Sequence, residues 1–134
     1  MTRIPTKSAE VLLDRLELGP IDTNCYMITN VKEKQMAVVD PGGSYPKLKS
    51  YLAELQQETG AKVTMILNTH GHWDHIGAEA ALKRDTGAKI WIHAADAPLL
   101  SQSVAAGFGV QIEPCQADES LTDEETLWLG SVPI

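Results

Sequence analysis

The stretch Thr69-His70-Gly71-His72-Trp73-Asp74-His75-Ile76-Gly77 constrains this chain more than any other. Three of its four histidines and an aspartate crowd into six positions. They follow directly on the apolar run Val63-Thr64-Met65-Ile66-Leu67, which reads as a buried strand. The fold must therefore bring a strand end to a loop dense in polar donors and then turn into the next element. Residues two apart in an extended loop point the same way, so His70, His72 and Asp74 converge. A turn into a helix rotates His75 toward the same space. Gly71 and Gly77 leave room for other backbone to approach. Imidazole and carboxylate ligands without thiolate suit Zn(II), Fe(II) or Mn(II) rather than an iron–sulfur cluster. A purely structural zinc site fits less well, because such sites are usually closed tetrahedra rich in cysteine, and no cysteine is near.

On either side of this loop the pattern is that of a mixed α/β chain. Val11 to Leu18 alternates as a strand, with Leu16 and Leu18 on one face and Gly19-Pro20 ending it. Asn24 to Thr29 and Met36 to Val39 are two more strands, so the first forty residues predict an antiparallel meander. From Tyr45 to Glu58 the period changes, and Leu48, Tyr51, Leu52 and Leu55 follow helical spacing. Ser44 is the expected N-cap, Pro46 suits the first turn, and Gly60 closes the helix. A second helix is expected from about Asp74 or His75 to Arg84, burying Ala78, Ala81 and Leu82 and ending at Gly87. Lys89 to Ile92 reads as a strand, Ala95 to Ala106 as a helix, and Thr126 to Leu129 as a final strand.

The 134 residues fit one domain, 1–134, large enough to bury a core. The net charge is −7 with no basic face, which argues against a nucleic-acid partner. Acid gathers at Asp118, Glu119, Asp123, Glu124 and Glu125, where a solvated loop is expected. No apolar run approaches the roughly 18 residues that span a bilayer. Met1 to Lys7 has no apolar segment behind it, unlike a secretory signal. The expected location is the cytoplasm, without membrane association. Cys25 and Cys115 form no CxxC motif and read as small buried hydrophobes, with Cys25 unsuited to act as a nucleophile.

The segment His70-Gly71-His72-Trp73-Asp74-His75 resembles the HxHxDH signature of the metallo-β-lactamase superfamily. Two other segments match it: Val38-Val39-Asp40-Pro41-Gly42-Gly43, and Thr23-Asn24-Cys25-Tyr26, which is similar to the glyoxalase II-like branch. The order of elements up to Ile92 follows the family's N-terminal half. The resemblance implies that His70 and His72 hold a first metal, and that Asp74 and His75 hold a second. Zinc is the expected ion, with iron or manganese as alternatives. Asp40 would support the loop by hydrogen bonds without touching metal. The chemistry implied is metal-dependent hydrolysis of a thioester or ester, an acylglutathione by analogy with glyoxalase II, with Asp74 as the catalytic group that orients the attacking water. A sulfur dioxygenase or a lactonase would carry the same loop.

The family's complete site also takes a histidine from a later Gly-His-Thr segment, a bridging aspartate and a further histidine, and no histidine follows His93 here. The chain therefore looks like the N-terminal half, truncated, of an αββα sandwich: a mixed sheet with helices on one face. Two side-chain ligands per metal fall short of the usual three. His93, Asp118 and Glu119 are the spare donors. A missing partner layer would leave an apolar sheet face uncovered. Self-association into a homo-oligomer, or pairing with a complementary second half, is expected. A non-catalytic half-fold that binds metal and works as an assembly module is the contrasting expectation.

Overall fold

The computed structural model describes residues 1–19, 23–69, 77–93, 104–105, 110–111, 117–121 and 127–133. Their frame is a seven-stranded mixed sheet. β1 (Thr2–Ile4), β2 (Val11–Leu18), β3 (Thr23–Asn30) and β4 (Gln35–Val39) form the expected antiparallel meander, with β1 added at its edge. Helix α1 (Tyr45–Thr59) then crosses over to β5 (Lys62–Leu67), which lies parallel to β4. Helix α2 (Glu79–Thr86) leads to β6 (Lys89–His93), parallel to β5. β7 (Val104–Ala105) and β8 (Val110–Gln111) pair separately, while β9 (Glu119–Leu121) extends the main sheet beside β6. β10 (Trp128–Leu129) and β11 (Val132–Pro133) close the chain as a hairpin.

The alternation read from β2 decides which face is buried. Leu16 and Leu18 pack with Cys25, Met27, Met36, Val38, Ile66, Ile90 and Ile92 under Leu48 and Leu55 of α1 and Leu82 of α2. Both helices thus sit on one face of the sheet. Fully burying each leucine contributes about 1.5–3 kcal/mol. On the opposite face, Leu129 is buried against Ala37 and Met65, with Ile28, Leu67 and Trp91 half-buried around them. Two bonds hold the terminal hairpin there: the Asn30 amide donates to the Leu129 carbonyl at 2.9 Å, and the Ser131 N–H donates to Glu33 at 2.8 Å. The second face is thus partly covered by the chain itself.

Gly60 closes α1 in the left-handed conformation, as expected, and Gly87 does the same for α2. Several sequence expectations need correction. Ser44 occupies the N-cap position of α1 but makes no side-chain cap, because its backbone is left-handed (φ 49°). Its carbonyl instead accepts from the N–H groups of Lys47 and Leu48. Val104–Ala105 is a strand paired with Val110–Gln111 rather than the end of a helix, as suits the β-branched Val104. The acidic stretch is not wholly a solvated loop. Glu119 opens β9, and the Asp118 carboxylate accepts from the Ile90 N–H at 2.8 Å and from Lys83. Residues 95–103 and 123–125 lie outside the described residues. None of the described helices is long and apolar enough to cross a membrane.

Candidate metal centre

Asp40 leaves the end of β4, and Asn68 and Thr69 leave the end of β5 beside it, since Val39 pairs with Leu67 in the parallel ladder. The ladder continues one step past each strand. The Asp40 N–H donates to Leu67 O at 2.8 Å, and the Asn68 N–H donates to Trp91 O at 2.9 Å. Open α/β sheets form their ligand sites at this edge, outside the carboxyl ends of parallel strands.

The turn from Asp40 to Gly43 is the anchor of the site. Asp40 adopts φ 54°, a left-handed conformation that aspartate tolerates better than most residues because its short side chain bonds locally. It is 4% exposed. Its carboxylate accepts the Thr69 N–H at 2.8 Å and the Thr69 hydroxyl. Thr69 is the residue immediately before the histidine cluster. The other end of the cluster is held by the same turn, because the Ala78 N–H donates to Pro41 O at 2.8 Å. Gly77 passes so close that a Cβ there would overlap the Gly42 carbonyl oxygen and stand 3.1 Å from its carbon. Gly43 is confined less severely, for a Cβ there would stand 3.0 Å from Gly19 Cα.

A second tie runs across the loop's base. Asn68 is 5% exposed and Glu79, the first residue of α2, is completely buried. The Asn68 Nδ2 donates to Glu79 Oε1. Asn68 Oδ1 is buried with no hydrogen-bond partner among the described residues.

The expected ligands His70, His72, Asp74 and His75 lie outside the described residues, as do Gly71, Trp73 and Ile76. The structure fixes what brackets them: Thr69 on one side and Gly77 and Ala78 on the other, both seated on one turn. Three imidazoles and a carboxylate suit zinc, iron or manganese. A ligating imidazole generally gives its second N–H to a carboxylate or carbonyl acceptor. The buried Asp40 carboxylate and the orphaned Asn68 Oδ1 are acceptors of that kind at the loop's base. A metal therefore fits this surrounding. Among the described residues alone, no group of three or more His, Cys, Asp or Glu is gathered.

The spare donors are placed as follows. His93 ends β6 at the same sheet edge as Asp40 and Asn68. Asp118 lies beside Ile90, nearer the start of β6, and is bound to Lys83, while Glu119 is 3.7 Å from Lys89. Those engagements leave neither carboxylate poised to bridge metals at the strand ends. Cys25 is fully buried, and burial pushes its thiol well above the usual range, with the charge of Asp40 adding to the shift. In a Cys115→Ser background, Cys25 is expected to resist iodoacetamide at pH 8 until the protein is unfolded in urea. Rapid alkylation of the folded chain would show a reactive thiol instead. A groove of about 370 Å³ between the helices rests on Met36, Lys62 and Val63 near the starts of β4 and β5. That is the opposite edge of the sheet from Asp40.

Sequence reasoning passed over Asn68, Glu79 and the Gly42 contact. The one available signal was a glutamate set between the apolar positions Ala78 and Leu82 in a short helix.

The sequence profile described as the metallo-beta-lactamase superfamily matches residues 18–131. A probable metallo-hydrolase of Bacillus subtilis is 30% identical over 122 residues, covering 87% of this chain and 54% of that protein. A hydroxyacylglutathione hydrolase of Haemophilus influenzae is 40% identical over 79 residues, covering 57% of this chain and 35% of its own length. Among solved structures, the BLEG-1 B3 metallo-beta-lactamase superposes with a TM-score of 0.79 at 30% identity, over 90% of this chain and 58% of that one. A protein solved in a di-iron-bound form, TTHA1623, gives 0.68 at 28% identity, over 85% and 56%. A di-zinc class B3 enzyme from an Alaskan soil metagenome, at 24% identity and a TM-score of 0.66 over 98% and 55%, shares the fold. The chain spans about half the length of the curated relatives it matches.

Proposed function

The chain belongs to the metallo-beta-lactamase superfamily, and from that premise we propose that it acts in metal-dependent hydrolysis of a thioester or ester, an acylglutathione being the favoured substrate. The observation that carries this reading is the double anchoring of the histidine loop on the Asp40–Gly43 turn. It holds both ends of a segment containing His70, His72, Asp74 and His75 against one edge of the sheet. The thioester class is supported by the partial identity to hydroxyacylglutathione hydrolases.

His70 and His72 would hold one metal and Asp74 and His75 a second. When bound, such ions supply an acidified water and a counter-charge to the developing oxyanion. Asp74 would orient the attacking water and accept its proton on a carboxylate oxygen. Asp40 holds Thr69, and through it the start of the loop, without touching metal. Zinc is the proposed ion; a single iron would favour the sulfur-dioxygenase alternative, while the lactonase alternative would again use two metals. We place the protein in the cytoplasm as a homo-oligomer or in association with a complementary half. The half-buried Ile28, Leu67 and Trp91 support that assembly.

The second reading is a half-fold that binds metal and assembles without turnover. One preparation separates the two. Protein purified without added metal is analysed for zinc, iron and manganese, then loaded and assayed for thiol release from an acylglutathione beside His72→Ala. The hydrolase reading expects turnover that His72→Ala abolishes. Folded, metal-loaded protein with no turnover above background would sink it and leave the assembly reading. Light scattering on the same sample tests association, which a stable monomer would contradict.

A further inference from the structure

Asn68 and Glu79 are a polar pair in a place where packing alone would favour apolar side chains. Asn68 ends an apolar strand, and Glu79 lies between Ala78 and Leu82, both buried. A carboxylate taken fully out of water loses hydration that a neutral, well-packed residue would never have to replace. Similar burial with a leucine would be at least as stable, so stability alone does not account for a glutamate here.

Position supplies the missing reason. Asn68 is the last residue before the segment 69–78, and Glu79 is the first after it. Their hydrogen bond therefore joins the two ends of the histidine loop directly to each other. Asp40 ties Thr69 to the β4 turn, and Pro41 ties Ala78 to the same turn. The Asn68–Glu79 bond closes the third side of this triangle, between the end of β5 and the start of α2. Removing it leaves each end attached to the turn but free to shift against the other. A ligand set split between the two ends would lose its spacing by that movement. Asn68 also keeps Oδ1 buried and unpartnered among the described residues, so the same side chain holds an acceptor ready beside the loop. Buried acceptors left open in a native interior call for a donor that arrives with a ligand, a water or a reorganised neighbour.

We infer that Asn68 and Glu79 form a positioning pair that fixes the span of the histidine loop, so that metal affinity depends on their mutual hydrogen bond. This rests on the metal-site reading above. Neither residue needs to touch metal.

Cobalt(II) is the probe, because its d–d absorption reports coordination as well as occupancy. Glu79→Ala and Asn68→Ala are each expected to weaken cobalt binding about 10–100-fold, the usual cost of losing a group that orients metal ligands. The double variant should be little weaker than the poorer single, because the bond the two residues share is lost in either. Glu79→Gln keeps an oxygen for the Asn68 amide and should recover most of the affinity. Glu79→Asp, one methylene shorter, preserves charge while breaking the contact; it provides a milder variant should the alanine forms fail to fold, and it too should bind weakly. Leu48→Ala, which opens a cavity under α1, is the stability control and should lower the unfolding midpoint without altering the spectrum. Folded Glu79→Asp or Asn68→Ala with the wild-type cobalt affinity and spectrum would overturn the positioning role alone. A wild-type chain that binds no cobalt would instead overturn the metal-site reading, and the pair's role with it.

Discussion

A Gly77→Ala variant is expected to lose roughly 100-fold in metal affinity while retaining its secondary structure. The new methyl group would overlap the Gly42 carbonyl oxygen and stand 3.1 Å from Gly42 C, both backbone atoms that no rotamer change can move aside. Relief requires the loop's far end to lift from the turn, which stretches the bond from the Ala78 N–H to Pro41 O. Forcing a methyl into a packed contact generally costs about 1–3 kcal/mol. Here the cost falls on the segment that carries the proposed ligands. Gly87→Ala is the matching control. Gly87 has φ 70°, and a Cβ added there would meet nothing within 4 Å, so alanine faces only the left-handed penalty, about 1–2 kcal/mol. Urea unfolding of both apo variants, followed by cobalt titration, separates the effects: comparable stability losses, with metal affinity lost only in Gly77→Ala. Wild-type cobalt binding by Gly77→Ala would remove the turn from any account of the site.

What made parts of this structure legible was local repetition. The alternation in β2 and the Leu48, Tyr51, Leu52, Leu55 spacing in α1 each state their own burial, and Gly60 and Gly87 state where the helices stop. The donor chemistry of the loop was equally local, with three imidazoles and a carboxylate inside six residues. The unreadable parts depend on partners far along the chain. β1 and β9 are three residues each, too short for a period, and exist because Arg15 and Trp91 offer free edges to Thr2 and Glu119. Glu79 looks like a surface residue of a short helix until Asn68, eleven positions earlier, is seen to receive it. The contact of Gly77 with Gly42 spans the α1 crossover and β5, and leaves only a glycine as its trace.

The same distinction bears on the half-length coverage of the relatives. The anchored loop needs β4, β5, α1 and α2, and all of these are present with a common apolar core. The terminal hairpin adds a local cover on the opposite face, tied through Asn30 and Glu33. Holding the loop and completing a catalytic site are thus separable tasks: the first is carried by this chain's own packing, and the second depends on how many ligands reach the metal. That is why metal affinity, more than turnover, is the sensitive readout for substitutions around the turn.

Asp40 is where tethering and charge can be told apart. Asp40→Ala removes both acceptors of Thr69 and puts alanine at φ 54°. Hydrogen bonds to a charged group contribute about 1.5–3 kcal/mol, so the apo protein should lose stability of that order, and the start of the loop should come free. Asp40→Asn is a different perturbation. Asparagine is at ease in the left-handed conformation, and its Oδ1 still accepts the Thr69 N–H. The Thr69 hydroxyl can rotate to accept from the new amide. Apo stability should therefore stay within about 1 kcal/mol of wild type. The negative charge beside the proposed cation site is gone, however, and cobalt affinity should fall about 10-fold. If Asp40→Asn binds cobalt like wild type while Asp40→Ala does not, the carboxylate is a tether and its charge is incidental. If both variants bind like wild type, Asp40 has no part in the site, and the double anchoring that supports the metal reading loses its first half. The expected ordering, wild type above Asp40→Asn above Asp40→Ala in affinity but with only the alanine variant unstable, follows from a carboxylate that both holds Thr69 and lies beside the proposed cation site.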